Sequence, residues 1–297
     1  MLDNSKKTVL ALGYFDGVHR GHRTVIERAK RLAKELDATL TVFTFEGNLR
    51  AVLSGEDEKQ IYPARERTKI LKELGADEIF YAPVNYNFLS MGKLSFLNMM
   101  NRKYDVLAYV CGRDYKFGKL GKGDVEYLKG YATKKKQRCI IVDDVTDNNK
   151  RISTSLIKKL LLDGNVKKAN QMLERPFSIT GEVIRDRQIG KELGFPTVNV
   201  NIEKDKAILL EGVYSGHIEI DGVYYRAMIN YGHRPTFGLE NKLIEAHIIG
   251  FSGELYGKEI TLFFDSFVRG VNKFCSIEQL KERLRKDKEE IERGDYD

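Results

Sequence analysis

The chain has no tryptophan, only three cysteines, and no apolar run approaching the ~20 residues that span a bilayer. The cysteines, Cys111, Cys139 and Cys275, are odd in number and far apart, which argues against both a disulfide framework and a cysteine metal site. Buried, reduced thiols are expected. The start, Met1-Leu2-Asp3-Asn4-Ser5-Lys6-Lys7, lacks the apolar stretch and small-residue cleavage site of a signal peptide, so a cytoplasmic protein with no membrane partner is expected. All aromatic residues are Tyr and Phe, and they do not interleave with the basic runs as a base-stacking surface would require. No Gly-Lys-Ser/Thr phosphate loop, internal repeat or low-complexity segment is found.

What is there fits a soluble protein of two domains: 297 residues, 42% hydrophobic and 31% charged. The net charge of +7 suits a protein that handles polyphosphates, and equally one that binds nucleic acid. The basic residues are dispersed, however, and the longest uninterrupted run is Lys134-Lys135-Lys136. No nucleic-acid partner is therefore expected.

The two halves differ in rhythm. Thr8–Gly13, Thr39–Phe45, Glu78–Ala82, Val106–Gly112 and Ile140–Val142 read as strands. Among them lie helical patterns, one with Val25, Ala29, Leu32 and Leu36 on one face and another over Arg65–Leu74, ended by Gly75. This alternation predicts a doubly wound α/β domain with a parallel sheet. Two short helices follow, Ile152–Leu162 and Val166–Leu173, and beyond Pro176 the period becomes two. Val213–Ile220 and Val223–Asn230 flank the hairpin signal Asp221-Gly222, and Leu243–Gly250, Glu259–Phe264 and Phe267–Arg269 are further strands. Many short strands without helices between them predict an antiparallel barrel. A final helix opens with the capping-box pattern Ser276-Ile277-Glu278-Gln279 and carries Ile277, Leu280, Leu284 and Ile291 on its apolar stripe. The expected division is 1–165, a linker over 166–178, and 179–297.

One candidate site lies at the first strand-to-helix junction, Gly13-Tyr14-Phe15-Asp16-Gly17-Val18-His19-Arg20-Gly21-His22. Free backbone N–H groups and the helix dipole favour anions at such a junction. Two imidazoles there would suit nucleotidyl transfer, whose phosphate nucleophile is already anionic and whose barrier is the charge collected around phosphorus. Gly21 would let the backbone approach a ligand closely. Two alternatives stand beside this reading: a partial metal site, and two histidines that merely cap a helix. Ser153, Thr154 and Ser155 at the start of another helix could bind phosphates, cap the helix, or both. Gly112-Arg113-Asp114-Tyr115-Lys116-Phe117-Gly118 follows the fourth strand, again at the ligand-binding edge.

A second candidate site is Gly190-Lys191-Glu192-Leu193-Gly194-Phe195-Pro196-Thr197-Val198-Asn199. Its glycines permit approach to phosphates, and Thr197 and Asn199 share a strand face, as oxygen ligands for Mg²⁺ would.

Together these segments resemble the bacterial bifunctional riboflavin kinase/FAD synthetase family. The resemblance is carried by Gly-x-Phe-Asp-Gly-Val-His-x-Gly-His at 13–22, Gly-Arg-Asp-Tyr-Lys-Phe-Gly at 112–118 and Ile-Ser-Thr-Ser-x-Ile-Lys at 152–158. In the second half it continues in Gly-x-x-Leu-Gly-Phe-Pro-Thr-x-Asn at 190–199, Asn230 to Phe237 and Glu245-Ala246-His247. It implies an N-terminal FMN adenylyltransferase followed by a riboflavin kinase on a six-stranded Greek-key barrel. The implied ligands are ATP, riboflavin, FMN, FAD and Mg²⁺. Phosphate-binding roles are implied for Gly13, Phe15, Asp16, Gly17, Gly21, Arg113, Ser153, Thr154, Ser155, Lys158, Gly190, Lys191 and Gly194, catalytic ones for His19, His22 and Glu245, and metal ligation for Thr197 and Asn199. The sequence departs from the family where Gly47-Asn48-Leu49 replaces a Pro-His-Pro, and where Lys158 and Lys191 replace arginine. Those departures leave a kinase with a weakened synthetase as a second reading, and the basic charge leaves a non-catalytic flavin- or RNA-binding regulator as a third.

Overall fold

The computed structural model describes residues 6–55, 58–185, 190, 193–233 and 242–294. The chain divides into two compact units, Met1–Thr154 and Ser155–Asp297.

In the first unit, β1 (Lys7–Leu12), β2 (Thr39–Phe45), β3 (Glu78–Ala82), β4 (Asp105–Gly112) and β5 (Arg138–Val142) form one parallel sheet in the order β3-β2-β1-β4-β5. β1 and β2 are apolar on both faces and almost wholly buried, as strands covered by helices on both sides must be. The polar exceptions are satisfied: the hydroxyls of Thr8 and Thr41 bond each other across the two strands at 2.7 Å. Helix α1 (Arg20–Glu35) buries Val25, Ile26, Ala29, Leu32 and Ala33. Leu36, expected on that stripe, is its half-buried C-cap. Then come α2 (Leu49–Ser54), α3 (Ala64–Glu73), α4 (Tyr86–Leu89), α5 (Lys93–Lys103) and α6 (Val125–Lys134). α5 and α6, which the sequence reading did not pick out, are the crossovers into β4 and β5, and each buries only three residues toward the sheet. Connections run to opposite sides from β1 and β4, so a crevice opens at the carboxyl ends of these two strands. The hairpin of β6 (Thr146–Asp147) and β7 (Lys150–Arg151) leads on to α7 (Thr154–Leu162).

In the second unit, α8 (Val166–Leu173) precedes six strands: β8 (Phe177–Ile184), β9 (Val198–Asn201), β10 (Gly212–Ile220), β11 (Val223–His233), β12 (Lys242–Ile248) and β13 (Glu259–Gly270). They close a barrel in the order β10-β11-β12-β9-β8-β13, with every pairing antiparallel. Asp221 (φ 50°) and Gly222 (φ 80°) make the tight β10–β11 turn, whose backbone twist matches that of the strands. The segments Glu259–Phe264 and Phe267–Arg269, expected as two strands, are one continuous strand, β13. Its register against β10 slips twice, and those irregularities bend it around the barrel. Tyr214, Ile218, Ile229, Tyr231 and Phe264 are buried in the core.

The final helix, α9 (Ile277–Arg293), has Ser276 as N-cap, its hydroxyl accepting from Gln279 N. Gln279 Oε1 accepts in return from Cys275 N at 3.2 Å, one residue before the cap. The expected stripe needs two corrections. Ile277 is 60% exposed, because α9 meets the barrel only from Leu280 onward, and the charged Asp287 lies fully buried between Leu284 and Ile291. The thiols need a third: Cys111 is buried and Cys139 half-buried, but Cys275, at the approach to α9, is exposed. Burial pushes the Cys111 thiol up to about 12 and that of Cys139 to about 11, so neither is a thiolate at neutral pH.

Two candidate active sites

At the crevice of the first unit, the chain leaves β1 through a strained loop in which Phe15 (φ 51°) and Val18 (φ 41°) occupy the left-handed region. Asp16 holds this loop. Its carboxylate is fully buried and accepts from Ile61 N at 2.7 Å and Tyr62 N at 3.4 Å. His19 then serves as N-cap of α1, Nδ1 accepting from His22 N at 3.4 Å. Because Nδ1 is an acceptor, the proton of a neutral His19 sits on Nε2. The rings of His19 and His22 stack at 3.7 Å with 19° between planes, and the edge of Phe15 supports His22 from 5.3 Å. Gly21 lines the cavity and also makes room for the stack, since a Cβ there would lie 3.3 Å from the His19 ring.

Burial lowers the His19 pKa to about 4, helped by the nearby Arg151 cation, and lowers that of His22 well below its ordinary value. Both rings are therefore neutral at pH 7 and act as polar donors, with no proton to release. Face-to-face stacking also prevents two imidazoles from aiming lone pairs at a single ion, which weighs against a metal. Among the described residues no group of three or more His, Cys, Asp or Glu could hold one.

These residues line a cavity of roughly 260 Å³ that collects Gly13, Phe15, His19, Gly21 and His22 from the first motif and Ser153 and Thr154 from the third. Other expected residues stand elsewhere. Asp16 and Gly17 lie behind the wall, and Ser155 and Lys158 are outside the lining. Arg113 pairs with Asp143 on the surface and borders a separate depression with Glu126 and Lys129. The cavity also holds residues that the sequence reading did not select: Tyr14, Arg50, Asp114, Lys116 and Arg151. Arg151 bridges Asp114 and Asp144, the latter at 3.0 Å. Its place next to Ile152-Ser153-Thr154 was the available signal. Asn48, where the family has histidine, is committed to structure: its Oδ1 caps α2 through Ala51 N at 3.2 Å and accepts from the Tyr14 hydroxyl, and its amide donates to Glu58 O. The α2 turn so formed brings Arg50 to the cavity. Burial raises the Tyr14 pKa to about 12, so this phenol stays protonated.

The second site lies on the barrel surface beneath α9. Strand register places Asn199, Glu245, Asn230, Val213 and Arg269 in one row across β9, β12, β11, β10 and β13. All five line a cavity of roughly 350 Å³, with Thr197 and Gly190 at one side and Phe274, Leu280 and Leu284 at another. Asn199 Oδ1 is buried without a hydrogen-bond partner, an oxygen left for a ligand that donates or is cationic. Glu245, half-buried, sits directly across from Asn199. Gly190 is required by closeness: a Cβ there would lie 2.4 Å from Phe195 O and 2.9 Å from Thr197 Oγ1. His247 Nδ1 donates to Pro196 O at 2.9 Å, pinning this loop to β12, and burial lowers its pKa. Gly194 (φ 85°) is exposed and outside the lining. Lys191 and the stretch 234–241 lie outside the described residues. A smaller depression shares Thr197 and is lined by Phe251, Leu255 and Tyr256.

The FAD synthetase family model matches residues 2–156, and the riboflavin kinase model residues 173–294. The chain is 34% identical over 293 residues to the bifunctional riboflavin kinase/FMN adenylyltransferase of Bacillus subtilis, covering 97% of this chain and 92% of that protein. Its likeness to the protein of the same name from Listeria monocytogenes is 32% over 285 residues, covering 95% and 90%. A crystal structure from Streptococcus pneumoniae, described as a macrolide-efflux protein, superposes with a TM-score of 0.89 at 30% identity, over 98% of this chain and 95% of that one. No described helix is long and apolar enough to cross a membrane.

Proposed function

We propose that this chain, which belongs to the bifunctional riboflavin kinase/FMN adenylyltransferase family, makes FAD from riboflavin in two ATP-dependent steps. Residues 1–165 form the adenylyltransferase, 166–178 the linker and 179–297 the kinase, and we place both steps in the cytoplasm.

In the kinase step the 5′-hydroxyl of riboflavin attacks the γ-phosphorus of ATP. Glu245 takes the hydroxyl proton as the new O–P bond forms, and ADP leaves with the electrons of the broken bond. The observation that carries this reading is the register that sets Glu245 beside the buried, unpartnered Oδ1 of Asn199. Asn199 and Thr197 fit a hard cation that keeps most of its ligands from phosphate and water, and Mg²⁺ held there would neutralise phosphate charge. Gly190 lets the loop close on Thr197, and the depression on the far side of Thr197 would take the adenine end of ATP.

In the adenylyl step a phosphate oxygen of FMN attacks the α-phosphorus of ATP, and pyrophosphate leaves. No base is needed. The Nε2–H of His19, the partner ring of His22 and the start of α1 offer fixed donors to the charge on phosphorus. Ser153 and Thr154, with Arg50, Lys116 and Arg151, would hold the β- and γ-phosphates. Arg50 supplies a cation from the turn where the family's histidine is missing.

The test is to supply riboflavin and FMN separately to the full chain with ATP and Mg²⁺, and to separate the products by chromatography. FMN from the first and FAD from the second are expected. Neither product appearing would end the proposal, and FMN accumulating without FAD would leave only the kinase.

A further inference from the structure

Arg269 stands at the end of the kinase row opposite Asn199. From Glu245 it is three strands away around the barrel, at the other end of the same cavity. Its guanidinium is held from behind by Asp287 of α9: Nε lies 3.0 and 2.9 Å from the two carboxylate oxygens, and Nη2 lies 2.6 Å from Oδ2. Nη1 donates to Gly270 O at 3.0 Å. Among the described residues three of the five N–H groups of a guanidinium are thus engaged, leaving one on Nη1 and one on Nη2 as a fork. The ring of Phe274 lies 6.0 Å from the same guanidinium.

Asp287 is fully buried, yet it faces Arg269 and Arg283, the latter at 2.7 Å, and Arg283 also reaches Glu290 at 3.5 Å. Two cations and two carboxylates make the cluster neutral. The donor fork therefore meets the cavity without a large net field, which suits an uncharged aromatic ring with acceptor atoms on one edge better than an anion. The apolar side chains of Phe274, Leu280 and Leu284 around it suit the faces of such a ring.

We propose that Asp287 is a positioning residue for flavin recognition: it fixes the Arg269 fork, and with it the α9 wall, at the ring end of the kinase cavity. This rests on the riboflavin kinase reading of the second unit. Asp287 touches no substrate, and its effect passes through Arg269.

The experiment measures riboflavin and ATP KM, and kcat for FMN formation, in the full chain and in Asp287→Asn, Arg269→Gln, the double variant, and Arg285→Gln. Asp287→Asn is expected to raise riboflavin KM about tenfold or more, the scale for freeing a buried charged partner. ATP KM should stay within about twofold, and kcat should change little, as for binding energy lost equally from ground and transition states. Because Arg269 is the intermediary, Asp287→Asn should add nothing to riboflavin KM once Arg269→Gln is present. Arg285→Gln, on the exposed side of α9 where it pairs with Glu282 and Glu289, should leave riboflavin KM unchanged. An unchanged riboflavin KM in Asp287→Asn, or an undiminished effect in the Arg269→Gln background, overturns the proposal. If Asp287→Asn melts too low to assay, Arg269→Lys decides: it keeps the charge but loses the fork, so riboflavin KM must rise as in Arg269→Gln, and wild-type affinity would refute the role. A wild-type chain that makes no FMN would sink the kinase reading itself, which is a separate result.

Discussion

Replacing Glu245 by glutamine is expected to separate the two reactions. The side chain keeps its length and can still bond to its neighbours, so the register opposite Asn199 and Asn230 should persist. What it loses is the ability to take a proton. A positioned general base contributes about 10²–10⁴ in rate, and FMN formation should drop by that factor, about 3–5 kcal/mol in the barrier. Riboflavin KM should move less than threefold or so, because the proposed ring end of the row, at Arg269, is three strands away. FAD formation from supplied FMN should stay at the wild-type rate, since every residue lining the first cavity lies within Met1–Thr154. The assay is steady-state turnover of the full chain with riboflavin and, separately, with FMN. A fall of less than tenfold in FMN formation would refute the base. An equal fall in both activities, in a chain that melts normally, would refute the division of labour between the units.

Two other outcomes follow from the first site. Gly21→Ala places a Cβ 3.3 Å from the His19 ring and should displace the stack by a few tenths of an ångström, slowing FAD formation about tenfold or more. Thermal melting should show stability held or raised, since alanine favours a helix over glycine by up to about 1 kcal/mol; a normal rate would show that ring placement does not matter. The depressed His19 pKa also sets a pH dependence. As pH falls, the unfolded chain takes up a proton near 6.5 while folded His19 stays neutral down to about 4, so stability is full above that window and declines through it, by about 3 kcal/mol from this residue. Urea unfolding at a series of pH values should show this slope in wild type and a shallower one in His19→Asn, and equal slopes would contradict the assignment. In the same window FAD formation should show no histidine inflection near pH 6.5.

Much of the fold could be read in advance because its signals are local. Thr39–Phe45 and Glu78–Ala82 are strands at the expected residues, since runs of β-branched and aromatic side chains bounded by polar turns have few other uses. α5 and α6 escaped notice because each buries three residues on one side, a weak periodic signal. The bend that makes β13 one strand lies in its pairing with β10, which no local pattern records.

The motifs by themselves determined the family, the reaction class and the segments that meet at the two cavities. Only the tertiary structure decided which side chains meet. It set Asp16 behind the wall as a loop anchor and turned Arg113 toward Asp143. It committed Asn48 to a helix cap while bringing Arg50 to the first cavity, and it joined Asp287 to Arg269 across 18 residues of chain. The physical reason is the same in each case. Strand and helix propensities act over a few neighbouring residues, whereas hydrogen bonding, burial and charge pairing in a site depend on register between strands distant in sequence.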